Sequence, residues 1–380
     1  MRVVLAPDSF KGSASAVEVV AALSRGWALE RPEDELIPVP LADGGEGTLD
    51  VLAASDPGAT WQTGRVTGPD GAPVDARWLL LSDGTAGVEL ARSSGLPLMG
   101  TLDALHATTA GFGEQLLAAV RHPRTRRVLV ALGGSATTDG GAGALQALGA
   151  RLVDGSGSEV GPGGAALREL RQLDRSGLVE PPAGGVRCLV DVTAPLLGPV
   201  GAAAQFGPQK GASSDDVAVL EAALRRYAEV VGGAPDQPGA GAAGGTAFGL
   251  ATVWGARLVP GAPEVAQAAG LPRLLGDADL VVTGEGRFDA QSFGGKVVGH
   301  VLEQASALGT PQMIVAGSVA VAPPSTVVAS ADLTRLAGGL DAALADPHRW
   351  LVEAGSRLAT QATSHISINS GALATQRSHP

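Results

Sequence analysis

The stretch VLVALGGSATTDGGAGAL, Val128 to Leu145, constrains the fold more than any other. An apolar run of strand type breaks into GGSATTDGGAG, five glycines in eleven positions, then returns to an alanine-rich helical run. A glycine-lined turn from strand to helix strips away the side chains that would keep an anion off the backbone N–H groups. The same grammar recurs in RVVLAPDSFKG near the N-terminus, in ELIPVPLADGGEGT, and in LVVTGEGRFDAQSFGGK towards the C-terminus. Strands that alternate with helices through such turns predict an α/β fold with a largely parallel sheet.

Along the chain, residues 2–6 read as a buried strand, and Ser13 or Ser15 as the N-cap of a helix to about Leu29. From Thr60 to Leu96 the texture changes to short alternating runs with turn signals PDG and SDG, which predicts antiparallel hairpins. The pattern predicts two domains. Residues 1–60 with 277–360 form a discontinuous, parallel, Rossmann- or flavodoxin-like domain. Residues 61–276 form an inserted α/β domain with the hairpins and the glycine loop. Residues 361–380 read as a polar tail of different composition: they hold the chain's single asparagine, Asn369, and two of its four isoleucines.

Composition narrows the function. At 380 residues, 45% hydrophobic and 17% charged, the chain can bury more than one core. A net charge of −11 argues against a nucleic-acid surface but leaves room for a small anion held by local cations. The single cysteine, Cys188, excludes an intrachain disulfide and reads as a small apolar strand residue. Neither a signal peptide nor a run of membrane-spanning length is visible, so a soluble, cytoplasmic protein with no membrane partner is expected. Of 27 basic residues only Lys11, Lys210 and Lys296 are lysines, and each adjoins a glycine. A compact ammonium fits a tight phosphate site where a planar guanidinium does not.

The polar residues gather where strands are expected to end, the edge at which open α/β sheets bind ligands. Asp8, Ser9 and Lys11 follow the first strand, and Asp43 and Glu46 the second. Gly133, Gly134, Ser135 and Asp139 follow the strand at 128–132, Asp191 follows RCLV, and Glu285, Arg287, Asp289 and Lys296 accompany the strand near 281. Carboxylates there can hold Mg²⁺ or take a proton, and lysines and bare N–H groups can hold phosphate. Each residue alone also has a plain structural reading as a turn, a cap or a surface ion pair. The loop is neither a Walker loop nor a G-x-G-x-x-G fingerprint. No histidines stand at metal-ligand spacing.

Six stretches carry a resemblance: APDSFKGSASA (6–16), PLADGGEGT (40–48), VALGGSATTDGGAG (130–143), DVTAPLLGPVGAAAQFGPQKGA (191–212), GAGAAGGTAFGL (239–250) and VVTGEGRFDAQSFGGKV (281–297). In this order they resemble the bacterial glycerate kinase family that forms 2-phosphoglycerate. The resemblance implies ATP- and Mg²⁺-dependent phosphorylation of D-glycerate on a two-domain α/β fold with a cleft between the domains. Within that reading Asp8, Asp43, Glu46 and Glu285 are the metal candidates. Gly133, Gly134, Ser135, Gly294, Gly295, Lys210 and Lys296 would bind nucleotide phosphates. Ser9, Arg287, Asp289 or Lys11 would bind glycerate, and Asp191 is the candidate base. The sequence departs from the family at Thr138 and Ala194, where asparagine is usual, and at Val298, where proline is common. The rivals are a kinase of another small hydroxy acid or sugar acid, a 3-phosphoglycerate-forming enzyme, and a non-catalytic nucleotide or phosphoester sensor. Oligomeric state, a homodimer included, stays open.

Overall fold

The computed structural model describes residues 1–294 and 296–376, with side chains through residue 362. In chain order the strands are β1 (Arg2–Leu5), β2 (Glu35–Pro38), β3 (Thr60–Thr67), β4 (Pro73–Leu80), β5 (Thr85–Glu89), β6 (Arg127–Ala131), β7 (Arg151–Val153), β8 (Gln172–Asp174), β9 (Val186–Leu189), β10 (Arg257–Val259), β11 (Leu280–Phe288), β12 (Gln312–Val319) and β13 (Val327–Asp332). The chain divides into two compact units. Unit one holds Met1–Asp43, Asp50–Ser55 and the chain from Ala262 onward; unit two holds Gly44–Leu49 and Asp56–Gly261.

Unit one is built on a parallel sheet in the order β13-β12-β11-β1-β2. Successive side chains of β1 point to opposite faces, and both faces are covered. Val3 and Leu5 pack with Leu280, Val282 and Met313 beneath the helices Ala16–Glu30 and Pro347–Gln376. Val4 and Ala6 pack with Val281, Val297 and Val301 on the other face. Ser15, not Ser13, caps the first helix, in a reciprocal capping box with Glu18. That helix lies against the C-terminal one so closely that a Cβ on Gly26 would stand 1.9 Å from the carbonyl oxygen of Val352.

Two expectations about segmentation meet a different packing. Residues 262–276, expected in the inserted domain, belong to unit one because Ala262, Ala266, Leu271 and Leu275 join the cluster of Val4 and Val281. The expected tail begins inside the helix Pro347–Gln376, whose Leu358, Ala359 and Ala362 pack into the core of unit one. The side chains of 363–380, the bulk of that tail, lie outside the described residues.

Unit two carries a mixed sheet in the order β10-β9-β6-β5-β4-β3, with β3, β4 and β5 antiparallel and the rest parallel. The expected hairpins between Thr60 and Leu96 are those antiparallel strands. Phe112, Tyr227, Phe248 and Trp254 fill the core around it. Cys188 is buried on β9, and burial pushes its thiol up to about 12, so it acts as a small apolar residue. Among the described residues no helix is long and apolar enough to cross a membrane.

Candidate active site

In unit one the chain leaves β1 towards β2 on one side, while β11 leads to β12 and β13 on the other. The reversal falls between β1 and β11, and in open α/β sheets that is where ligands bind. Asp8 and Glu285 stand at this point: the Asp8 N–H donates to the Gly284 carbonyl at 2.8 Å, which ties the end of β1 to β11.

Asp8 is 7% exposed and Glu285 8% exposed. Burial, then the nearby charge of Asp43, pushes the Asp8 carboxyl up to about 7 against the pull of the Ser9 N–H at 2.6 Å. Glu285 is also shifted up by burial, against a hydrogen bond to Ser292 and the charge of Lys296. Its Oε1 is buried without a hydrogen-bond partner among the described residues. Lys11 pairs with Asp43 through Nζ and Oδ2 at 3.1 Å.

Arg287, exposed, pairs with Asp289 at 3.1 Å. Asp289 in turn caps the short 3-10 turn Ala290–Phe293 by accepting the Gln291 N–H at 2.9 Å. Lys296 is the N-cap residue of the helix Val297–Leu308. Gly294 closes the preceding turn, and Gly295 lies outside the described residues.

Unit two gathers its own set at the C-terminal edge of β5, β6, β9 and β10, where Glu89 is in register with Ala131, Ala131 with Leu189, and Leu189 with Val259. Gly133 follows β6, and here glycine is required. A Cβ would stand 2.6 Å from the Gly45 Cα and 3.1 Å from the Glu46 N, so the GGS loop seats directly on the GGEG loop. Glu46 is exposed beside Gly134. Asp191, just beyond β9, is exposed and accepts the Gly261 N–H at 3.2 Å.

Lys210 is not at a surface turn. It is 1% exposed, and its ammonium donates to Ser135 Oγ at 3.0 Å and to the Thr137 carbonyl. Burial pushes it down to about 7, opposed by the charge of Asp139. Asp139 is wholly buried and accepts the Thr109 N–H at 2.9 Å and its hydroxyl at 2.8 Å, together with the Gly141 N–H. It anchors the second half of the loop. The helix that follows, Ala142–Ala147, starts only after Gly141, so the first glycines stand away from its N-terminus.

Sequence reasoning missed Glu89. It is 1% exposed, accepts the Gly47 N–H at 2.6 Å and pairs with Arg92 at 2.6 Å, so it holds the GGEG loop from below. Its signal is an acid ending the apolar strand TAGVE. Of the departures from the family pattern, Ala194 is buried and presents its carbonyl to the Gly241 N–H. Thr138 is fully buried, and Val298 packs with Phe288 and Ile314.

The family model described as the glycerate kinase family matches residues 3–363. The chain belongs to the glycerate kinase family. Within it, the chain is 44% identical to the glycerate 2-kinase of Escherichia coli K12, over 84% of this chain and 86% of that protein. It is 43% identical to the glycerate kinase of Bacillus subtilis 168, over 84% and 85%. A crystal structure described as a candidate glycerate kinase 2 from Salmonella typhimurium LT2 superposes with a TM-score of 0.85 at 36% identity, covering 97% of this chain and 99% of that one. The α/β fold and the membership expected from the six motifs are those of this family.

Among the described residues no three acidic or histidine side chains cluster as a metal cage. The donor set of unit one nevertheless fits Mg²⁺. That ion is commonly held by one or two carboxylates with substrate phosphates supplying further oxygens. Glu285 offers a buried, unpartnered carboxylate oxygen beside mutually repelling acids, which a cation would relieve.

Proposed function

We propose that this member of the family phosphorylates D-glycerate at the 2-hydroxyl with ATP and Mg²⁺. The observation that carries the reading is the buried acid pair Asp8 and Glu285 at the strand reversal of unit one, flanked by Lys11 and Lys296, in a chain of this family. The name of the Escherichia coli relative supports the 2-position.

Phosphoryl transfer asks for positioning and charge neutralisation more than for covalent chemistry. Glu285 and Asp43 would hold the metal, which when bound spreads the charge of the transferring phosphate. Asp8 is the proposed base in place of Asp191. A buried carboxyl near 7 can take the hydroxyl proton as the oxygen attacks, whereas the exposed Asp191 already holds a backbone N–H through Oδ1. Lys11 and Arg287 are proposed to hold the glycerate carboxylate, with Ser9 and Asp289 beside them. In unit two the backbone of Gly133 to Ser135 is proposed to hold nucleotide phosphates, with Glu46 orienting them; in unit one Lys296 is proposed to bind phosphate beside Glu285.

A coupled assay with ATP, Mg²⁺ and D-glycerate tests the reading, with the product identified by phosphorus–proton coupling. A phosphate on C2 is expected. Phosphate on C3 overturns the regiochemistry alone. Faster turnover of another hydroxy acid or a sugar acid in a substrate panel overturns the substrate, and no transfer to any acceptor overturns the kinase reading.

A further inference from the structure

Lys210 carries a problem that phosphate binding alone does not solve. A lysine in a phosphate site should reach the phosphate, but this one is 1% exposed and sealed beneath the glycine loop. Leaving a lysine there is costly unless its protons are used. Two acceptors take them: the Ser135 hydroxyl oxygen at 3.0 Å and the Thr137 carbonyl oxygen. Both belong to the loop.

The hydrogen-bond inventory fixes the consequence. An ammonium has three donors and no acceptor. Ser135 Oγ therefore accepts from Lys210 and cannot donate back to it. The hydroxyl proton of Ser135 must point away from the buried cation. Ser135 keeps 7% of its surface exposed and Lys210 1%, so the serine is the more accessible of two buried residues. A hydroxyl that already accepts from a cation is also the stronger donor, because the two bonds polarise one another. Asp139 keeps the loop rigid by pinning its far end through Thr109 and Gly141.

We infer that Lys210 is a positioning residue whose buried ammonium turns the Ser135 hydroxyl outward as a hydrogen-bond donor to a phosphate of the nucleotide. The inference rests on the kinase reading above and gives the glycine loop its electrostatic source. The lysine acts through serine, by one fixed hydrogen bond, and never touches the ligand. Burial that draws the lysine down to about 7 fits this role, since an arriving phosphate would favour its charged form.

A double-mutant cycle with Lys210→Met and Ser135→Ala tests it, with kcat and KM for ATP and for glycerate measured separately and ATP binding followed by calorimetry. Ser135→Ala should weaken the ATP-dependent terms on the order of 10-fold or more, the loss expected for a bond to a charged group. KM for glycerate should stay within about twofold, because this contact is to the nucleotide. Lys210→Met should give a loss of the same kind. The double variant should be no worse than the poorer single one, because the two residues form one relay. Ser135→Thr keeps the hydroxyl and should recover most of the loss. Additive losses, or losses shared equally by ATP and glycerate, overturn the proposal. If Lys210→Met does not fold, the serine variants decide: wild-type ATP kinetics in Ser135→Ala overturn it. A wild-type enzyme with no ATP binding or transfer overturns the kinase reading instead, and the two failures are thereby distinct.

Discussion

The Nζ of Lys11 stands 3.1 Å from Oδ2 of Asp43, with the lysine side chain 73% exposed and the aspartate 14% exposed. An exposed pair of this kind contributes about 0–1 kcal/mol to stability. Its value therefore lies in holding one cation beside the acids of unit one. Lys11→Arg is expected to leave the melting temperature nearly unchanged while lowering kcat/KM for glycerate on the order of 10-fold or more, since the charge centre moves. Arg121→Lys is the matched control and should be silent. Equal kinetics in both variants would remove Lys11 from the site.

Asp8 makes the stability of the protein depend on pH. Its carboxyl is raised from the ordinary 3.8 to about 7, so between those values the folded chain keeps a proton that the unfolded chain has released. Protonated Asp8 stabilises the fold at low pH, and that contribution is lost as pH rises through about 7. Asp8→Asn should remove this dependence. Urea denaturation should show the variant gaining on the wild type from pH 4 to 7, by at most about 1.4 kcal/mol per pH unit, while losing most of its activity. A constant gap across that range refutes the assignment.

Lys210 gives the opposite sign. Its amine is lowered from the ordinary 10.5 to about 7, so in that window the unfolded chain binds a proton that the folded chain does not. Wild-type stability relative to Lys210→Met should therefore rise as pH increases from 7 towards 10, with the same limiting slope of about 1.4 kcal/mol per unit. Parallel curves would show that the lysine is no more desolvated than a surface one.

Gly133→Ala should disturb the contact between the GGS and GGEG loops. The new carbon would meet the backbone of Gly45 and Glu46, which cannot rotate out of the way. A loss of about 1–3 kcal/mol and a large fall in kcat are expected. Gly100, where a Cβ meets nothing within 4 Å, is the control, and Gly100→Ala should be silent.

The end of the chain gives a sharp contrast. Truncation after Ala362 should retain activity and most of the stability, because Leu358, Ala359 and Ala362, which pack into the core of unit one, are kept. Truncation before Pro347 removes Leu351, Ala354 and Leu358 from beneath the helix Ala16–Glu30 and should leave no cooperative melting of unit one.

By itself the sequence determined the α/β class, the hairpins, the family and the residue types at the strand ends. The class, the hairpins and the residue types follow from apolar runs, turn chemistry and glycine spacing, all local properties of the chain, and the family from the resemblance of six motifs in order. Cys188 as a core residue and the capping of the first helix near Ser13 or Ser15 were legible for the same reason. Tertiary structure alone decided what each polar residue faces. Lys11, Lys210 and Lys296 look alike in sequence, each beside a glycine. Yet Lys11 is exposed on Asp43, and Lys210 is sealed under Ser135 and Thr137. Asp8 and Asp191 each follow a strand, but only Asp8 is buried with its carboxyl near neutrality. Burial and the charges that share it come from segments distant in the chain, such as β1 and β11. Dielectric and proton affinity are set by those neighbours, and no local pattern encodes them.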